Sequence, residues 1–126
     1  MRKSGTTKMI PCMTEYKRGD VVLVPFPFSH QAAVKQRPAV ILSIEDYNRG
    51  DDLIIAGITS KFVSSGKWDC PISRWKEAGL LKRSAVKAMI TTVEKSLIRK
   101  KLGEIQGEDM RKIDKCLSKV MGFVSI

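Results

Sequence analysis

The chain has 126 residues, which suits one domain with its own hydrophobic core and argues against two domains. Its 23 Lys and Arg outnumber 13 Asp and Glu, and the net charge of +10 at pH 7 favours nucleic acid as a partner over a purely solvating role. Three widely spaced cysteines and one histidine argue against a disulfide framework, a zinc site or another bound metal, so we expect no metal and no cofactor.

Residues 1–15 are polar and follow neither the helical nor the strand period, so we predict a flexible N-terminal arm before a single domain at 16–126. The segment from Met1 to Met13 lacks the apolar core of a signal peptide. The longest apolar run, Val21 to Phe28, is far shorter than the roughly 20 residues that span a membrane. We therefore expect a cytoplasmic protein with no membrane contact.

The first predicted strand runs from Gly19 to Phe28. Pro25 and Pro27 lack a backbone N–H on the same edge of this strand, so we expect that edge to be unpaired near the end of the strand. The period-2 pattern is that of a half-buried strand. The apolar side chains of one face are Val22, Val24, Phe26 and Phe28.

A polar loop, Ser29 to Gln36, leads into a second strand, Arg37 to Ile44. The loop has no large apolar anchor, so we expect it to be exposed and mobile. The strand is almost wholly apolar and β-branched after its first residue, as in a strand buried on both faces. Pro38 holds Arg37 in an extended conformation at the mouth of the strand. By composition, Glu45 to Asp52 is a turn.

The third strand, Leu53 to Thr59, contains Gly57, which predicts a bulge or a close approach of another backbone. Trp68 to Ile72 is a short fourth strand that Pro71 confines to a sheet edge. The fifth strand, Ala85 to Thr92, alternates again. This alternation places Val86, Ala88 and Ile90 inward, and Lys87, Met89 and Thr91 outward or toward a groove.

A last strand, Leu102 to Ile105, precedes an amphipathic helix that begins near Glu108 and has Gly122 as its C-cap. Antiparallel strands followed by one covering helix predict a mainly β fold, a small antiparallel barrel with a C-terminal helix. The apolar stripe of the helix is Met110, Ile113, Leu117, Val120 and Met121.

Candidate catalytic residues are few. The sequence has no Gly-x-Ser-x-Gly, phosphate-binding loop or His-Glu-x-x-His motif, which argues against ordinary hydrolase and kinase chemistry. Arg37 offers a charged fork for phosphate oxygens, or else pairs with a surface carboxylate. His30 either serves as a general base near neutral pH or is a plain surface histidine. This set suits phosphodiester transfer on RNA, in which a neighbouring 2′-hydroxyl attacks phosphorus.

Six short segments stand in order along the chain: Gly-Asp-Val-Val-Leu-Val-Pro-Phe at 19 to 26, Arg-Pro-Ala-Val at 37 to 40, Ile-Thr-Ser at 58 to 60, Ala-Gly-Leu at 78 to 80, Thr-Val-Glu-Lys at 92 to 95 and Lys-Leu-Gly-Glu-Ile at 101 to 105. Taken together, and with the terminal helix, they make the chain from about Tyr16 to Phe123 resemble the MazF/PemK family of toxin–antitoxin ribonucleases. The resemblance implies an SH3-like barrel of the PemK/CcdB kind with a C-terminal helix.

The resemblance also implies roles for single residues. Arg37 matches the principal catalytic arginine of the family. Thr59 matches a catalytic threonine whose hydroxyl donates to the scissile phosphate, and Ser60 is a weaker candidate for that role; spacing alone describes Thr59 only as a strand-end residue. His30 lies where some relatives have a histidine or a glutamate. Some relatives also have a carboxylate near Met89, and this chain has none there, so its acid–base role is not carried over. We expect contacts with RNA from Lys35, Ser60, Lys61 and Lys87.

The leading interpretation is the toxin component of a type II toxin–antitoxin system, a sequence-selective and metal-independent endoribonuclease that cuts single-stranded RNA such as mRNA. A homodimer and a cognate antitoxin protein are implied by the resemblance alone. The alternatives are a non-catalytic RNA-binding module and a gyrase-poisoning toxin similar to CcdB on the same barrel. The gyrase-poisoning alternative expects a tryptophan near the C-terminus, whereas Trp68 and Trp75 lie in the middle of the chain.

Overall fold

A computed structural model describes residues 15–26, 35–62 and 66–123. The described residues form one six-stranded antiparallel sheet with the strand order β4-β5-β3-β2-β1-β6. The predicted N-terminal arm, apart from Glu15, lies outside the described residues, as does most of the predicted loop from Ser29 to Gln36. The elements are β1 (Asp20–Phe26), β2 (Lys35–Ile41), α1 (Glu45–Asn48), β3 (Asp52–Thr59), β4 (Cys70–Pro71), β5 (Ala85–Glu94), a 3₁₀ turn (Lys95–Leu97), β6 (Lys100–Glu104) and α2 (Gly107–Met121).

Strand β1 lies between β2 and β6. It pairs with β2 along its whole length, as far as Phe26 opposite Lys35. Pairing with β6 ends at Leu23, whose carbonyl accepts a hydrogen bond from the N–H of Arg99 at 2.8 Å. Pro25, two residues later, presents its nitrogen to the same side, because alternate residues of a strand point the same way. The predicted unpaired edge at this proline is therefore confirmed.

The sheet buries apolar side chains on both of its faces. Alternation along β1 sends Val21 to the face covered by α2, together with Val40, Ala56, Ile113 and others. The opposite face of the half-barrel carries a second cluster of buried apolar side chains. These two layers confirm the predicted fold class, a mainly β antiparallel barrel with a C-terminal helix. The second core contains Val22, Val24, Phe26, Ala39, Ile41, Leu53 and Ile55.

Several element boundaries differ from the prediction. β2 begins at Lys35 and ends at Ile41, because the hydroxyl of Ser43 takes over the ladder position and accepts a hydrogen bond from the N–H of Ile54 at 3.0 Å. The segment predicted as a turn after β2 contains a single turn of helix, α1. The predicted strand from Trp68 to Ile72 is reduced to the two residues of β4, which does lie at a sheet edge, as Pro71 predicts.

Helix α2 covers the sheet through Ile113 and Leu117, which are buried. The last turn of the predicted stripe is wrong: Val120 and Met121 are 37% and 48% exposed, because the buried stretch of the helix ends at Leu117. Gly122 closes the helix as predicted, with a φ of 74°. Within the described ranges, no helix is long and apolar enough to cross a membrane.

Two segments far apart in the sequence cross with their backbones in contact. A Cβ atom on Gly79 would lie 2.0 Å from the carbonyl oxygen of Leu102 in β6. A Cβ atom on Gly103 would lie 2.5 Å from the carbonyl oxygen of Ala78. Gly79 also has a φ of +85°, which side chains disfavour. Only glycine fits at both positions, and the crossing fixes β6 against the segment that precedes β5.

Candidate functional site

Strands β1, β2, β3 and β5 enclose one pocket of about 230 Å³. Three residues predicted for the site line it together, and each comes from a different strand: Arg37 from β2, Thr59 from β3 and Lys87 from β5. The fold thus gathers two cations and a hydroxyl that are up to 50 positions apart in the sequence. The rest of the lining is formed by Phe26, Gly57, Ile58 and Met89.

Arg37 lies in the exposed first half of β2, opposite Val24 of β1. Among the residues that the structure describes, no carboxylate lies within ion-pair distance of its guanidinium. The alternative that Arg37 pairs with a surface carboxylate therefore finds no support in this part of the chain. Arg37 lines the pocket, and the planar fork of N–H donors of an arginine can bind two oxygens of one phosphate.

Thr59 ends β3, and its hydroxyl is held against the next turn of the backbone. Its Oγ1 accepts a hydrogen bond from the N–H of Lys61 at 3.0 Å. Donation in return to the carbonyl of Lys61 spans 3.3 Å, which is long for a hydroxyl donor. The accepting bond fixes the position of the oxygen, while the weak donating bond leaves its proton able to turn toward a ligand in the pocket.

Lys87 and Met89 reach the pocket through a bulge in β5. Ala56 pairs with Ile90 and Ile58 pairs with Val86, so three residues of β5 face only Gly57 of β3. An irregularity at Gly57 was predicted from the sequence, and it is confirmed, although the extra residues belong to the partner strand. Lys87 and Met89, predicted to point outward or toward a groove, both line the pocket. Ala88, predicted to point inward, is exposed within the bulge, and that prediction is wrong.

Gly57 forms the floor of the pocket between two apolar side chains. A Cβ atom at this position would lie 3.4 Å from Cζ of Phe26 and 3.5 Å from Cβ of Met89. The sequence analysis treated Phe26 only as a core residue of a strand and Gly57 only as the mark of a bulge. Phe26 of β1 and Gly57 of β3 approach each other in the pocket. No pattern in the sequence predicts this approach, because the two residues lie on strands that are not paired with each other.

The electrostatic character of the pocket follows from its lining. Arg37 and Lys87 carry positive charge, and the described lining contains no carboxylate to neutralise them. A phosphodiester is the ligand that this combination of cations and a hydroxyl donor suits best. Across the described ranges, no group of three or more His, Cys, Asp or Glu side chains is arranged to hold a metal ion.

The other predicted site residues lie at the margin of the pocket or outside the described ranges. Lys35 begins β2, and Ser60 and Lys61 follow Thr59; all three are exposed and none lines the pocket. His30, the predicted general base, lies outside the described residues. Lys35 and Lys61 lie two residues from Arg37 and Thr59 in the sequence, and their contact with RNA stays a prediction.

A second groove of about 400 Å³ adjoins the first pocket and shares Phe26 with it. Among the described residues that line it, the one ionisable side chain is that of Glu94, whose carboxylate accepts a hydrogen bond from the hydroxyl of Ser96 at 3.1 Å. With a carboxylate and no cation in this described lining, the groove is the poorer site for a phosphate.

Sequence comparison identifies one family. The sequence profile of a family described as "PemK-like, MazF-like toxin of type II toxin-antitoxin system" matches residues 17–121. No curated protein matches the sequence.

Solved structures share the fold at low sequence identity. An endoribonuclease in complex with its cognate antitoxin, from a mycobacterial species, is 20% identical with a TM-score of 0.69, over 90% of this chain and 100% of that one. MazF from Deinococcus radiodurans is 18% identical with a TM-score of 0.70, over 87% and 99%. A MazE–MazF structure from the same organism is 17% identical with a TM-score of 0.71, over 89% and 100%. These likenesses show the fold.

Proposed function

The chain belongs to the PemK-like, MazF-like toxin family of type II toxin–antitoxin systems, and from this premise we propose that it is an endoribonuclease that cuts single-stranded RNA without a metal ion. One observation carries the proposal. Arg37, Thr59 and Lys87 converge on a single pocket whose described lining has no opposing carboxylate. Such a pocket favours the binding of a phosphodiester and the stabilisation of charge that builds on phosphorus.

In the proposed reaction the 2′-hydroxyl of the preceding nucleotide attacks phosphorus and the bond to the 5′-oxygen of the next nucleotide breaks. The departing 5′-oxygen takes up a proton from water, so the products are a 2′,3′-cyclic phosphate and a 5′-hydroxyl. Arg37 binds the two non-bridging oxygens through its fork, and the hydroxyl of Thr59 donates a hydrogen bond to the scissile phosphate. We assign to His30 the removal of the 2′-hydroxyl proton, because its ordinary pKa lies near neutrality.

Three features of the interpretation belong to the same proposal. We propose sequence selectivity, because recognition of single-stranded RNA depends on unstacked bases and on groove shape. A cognate antitoxin partner is proposed because a solved endoribonuclease of this fold was crystallised with its own antitoxin. A homodimer acting in the cytoplasm completes the proposal.

A non-catalytic RNA-binding protein is the second candidate. It is favoured by the absence of a proton-accepting side chain among the described lining residues, since Met89 occupies the bulge where a carboxylate would serve. Binding without cleavage of long single-stranded RNA would support this candidate over the endoribonuclease.

The test is cleavage of a long mixed-sequence RNA in excess chelator by the parent protein and by Arg37→Ala. We expect cleavage by the parent, and a loss on the order of 10²-fold or more in the variant, as for removal of an oxyanion-stabilising donor. Arg37→Lys should remain impaired, because an ammonium keeps the charge and loses the fork. Arg49→Ala is the matched control, since Arg49 pairs with Asp46 and does not line the pocket. Full activity of a folded Arg37→Ala would contradict the proposal.

A further inference from the structure

Neither the backbone conformation of Gly57 nor the packing around it requires a glycine at this position. Gly79 and Gly103 differ from it, because a Cβ atom at either would collide with backbone. A Cβ atom on Gly57 would make contacts of 3.4 to 3.7 Å with Phe26 and Met89, which are ordinary van der Waals distances. Alanine would fit there and would stiffen the strand. The missing methyl group therefore keeps a space open between Phe26 and Met89.

The walls of this space are apolar and differ in rigidity. Phe26 is 2% exposed, and its Cζ is the ring atom nearest to a Cβ atom placed on Gly57. Met89 is 36% exposed, and its flexible thioether can adjust to a planar group while remaining in favourable contact with an aromatic edge. These walls stand directly beside Arg37 and Thr59 in the same pocket.

The chemistry and size of the space point to one ligand group. Single-stranded RNA offers unstacked bases, whose flat apolar faces pack on such walls. At about 230 Å³ the whole pocket is smaller than the roughly 300 Å³ at which pockets for small molecules begin. This small volume favours a single base beside the phosphate.

We propose that Gly57, Phe26 and Met89 form the seat of one unpaired nucleobase next to the phosphate bound by Arg37 and Thr59, and that Gly57 and Met89 set the size of the base that the seat accepts. This inference rests on the proposed function of the pocket. It makes Met89 a specificity-determining residue at the bulge of β5.

Two substitutions change the seat in opposite directions. Gly57→Ala narrows the floor by one methyl group, and Met89→Ala removes one wall. Sequencing the fragment ends from a mixed-sequence RNA gives the base at each position around the cut. At one position beside the cut, the ratio of purines to pyrimidines should fall about tenfold with Gly57→Ala, the lower end of the discrimination that one methyl-sized group gives. With Met89→Ala the same ratio should rise. Met121→Ala is the matched control, because Met121 is exposed on α2 and lies outside the pocket.

The two ways of failing are distinguishable. If the parent and the three variants all cleave RNA with the same base frequencies around the cut, the proposed seat is wrong. The proposed endoribonuclease activity is then unaffected. If the folded parent protein binds RNA without cutting it, the proposed endoribonuclease activity is wrong. The proposed seat for a base is then tested by measuring RNA affinity. The probes for this measurement are tetranucleotides that each contain one kind of base. Their 2′-O-methyl groups prevent cleavage, because the attacking 2′-hydroxyl is blocked. Their purine-to-pyrimidine affinity ratio should move in opposite directions in Gly57→Ala and Met89→Ala; an unchanged ratio, or no binding by the parent, overturns the seat.

Discussion

Thr59 is the residue whose role depends most on local geometry. Its hydroxyl oxygen is held by the N–H of Lys61, so the side chain keeps its place while the proton remains available. Thr59→Val keeps the shape and removes the hydroxyl. We expect it to slow the chemical step on the order of 10²-fold, the loss typical of one transition-state donor, with little change in RNA affinity. Single-turnover cleavage and equilibrium binding measure the two effects separately.

Thr59→Ser is the control for that experiment, because serine restores the hydroxyl and the bond to the N–H of Lys61. It should recover most of the parent rate. A valine variant that cuts as fast as the parent, or one that loses affinity and rate in equal proportion, would rule out the transition-state role.

Chemical type made part of the site predictable from sequence. A phosphate site needs fixed cations and donors, which singled out Arg37, whereas Thr59 was identified only through the family resemblance; the structure brings both together with Lys87. Their roles stay predictions. The apolar half of the pocket was not predicted as a site, because Phe26 and Gly57 read as ordinary strand residues until β1 and β3 are seen to meet.

Strands and helices were predictable where one local pattern dominates. The alternation of apolar residues in β1 predicted which face of the strand is buried, and Gly122 predicted where α2 ends. Local sequence patterns did not predict features that depend on residues distant in the sequence. The end of β2 depends on a hydrogen bond between Ser43 and Ile54, and the exposure of Ala88 depends on a bulge opposite β3.

The crossing of Gly79 and Gly103 gives a prediction on stability. Gly79→Ala would place a methyl group 2.0 Å from the carbonyl oxygen of Leu102 at a positive φ. Backbone strain and overpacking each cost about 1 to 3 kcal/mol, so we expect the free energy of unfolding to fall by about 3 kcal/mol or more. The midpoint of urea denaturation measures the change.

Gly50→Ala is the matched control for the crossing. A Cβ atom on Gly50 would lie 3.5 Å from the carbonyl oxygen of Tyr47, an ordinary contact. Its stability should stay within about 1 kcal/mol of the parent, in the range of surface changes. Equal effects of the two substitutions would mean that the close approach at Gly79 does not hold the fold together.

At the scale of the whole molecule, the net charge of +10 makes RNA binding sensitive to salt. Each phosphate that the protein neutralises on a single strand should lower the slope of log affinity against log salt by about 0.7. Fluorescence anisotropy with a short uncleavable RNA between low and moderate salt measures the slope. A flat affinity would contradict binding through phosphates, and with it the nucleic-acid interpretation of the pocket.

Alkaline pH should destabilise the fold. Burial, and next the neighbouring Cys116, raise the pKa of Cys70 from 9.0 to about 12. Burial and the charge of Asp20 raise the pKa of Tyr16. Partial burial would lower the pKa of Lys101, but Asp20 and Glu104 outweigh it and raise the value. All three groups hold their protons more tightly when folded, so the stabilisation is fully present below about pH 9 and is lost as the pH rises toward 12.

Urea denaturation at pH 7, 9 and 10.5 measures this loss, and Cys70→Ala should reduce the fall above pH 9 because it removes the largest of the three shifts. The proximity of Cys70 to Cys116 could not be predicted, since 46 positions separate them in the sequence. A midpoint that stays constant from pH 7 to 10.5 in the parent would contradict the expectation.

The bulge in β5 has a consequence for how such a protein diversifies. Lys87, Ala88 and Met89 face a single residue of β3 and take no part in the regular pairing that holds the barrel. Substitutions in this tripeptide leave the hydrogen-bonded framework unchanged, while two of its three side chains line the pocket. Mutational drift at these positions can therefore change the surface of the pocket at little cost in foldability, and a library randomised at 87–89 should yield folded variants far more often than one randomised at 55–57.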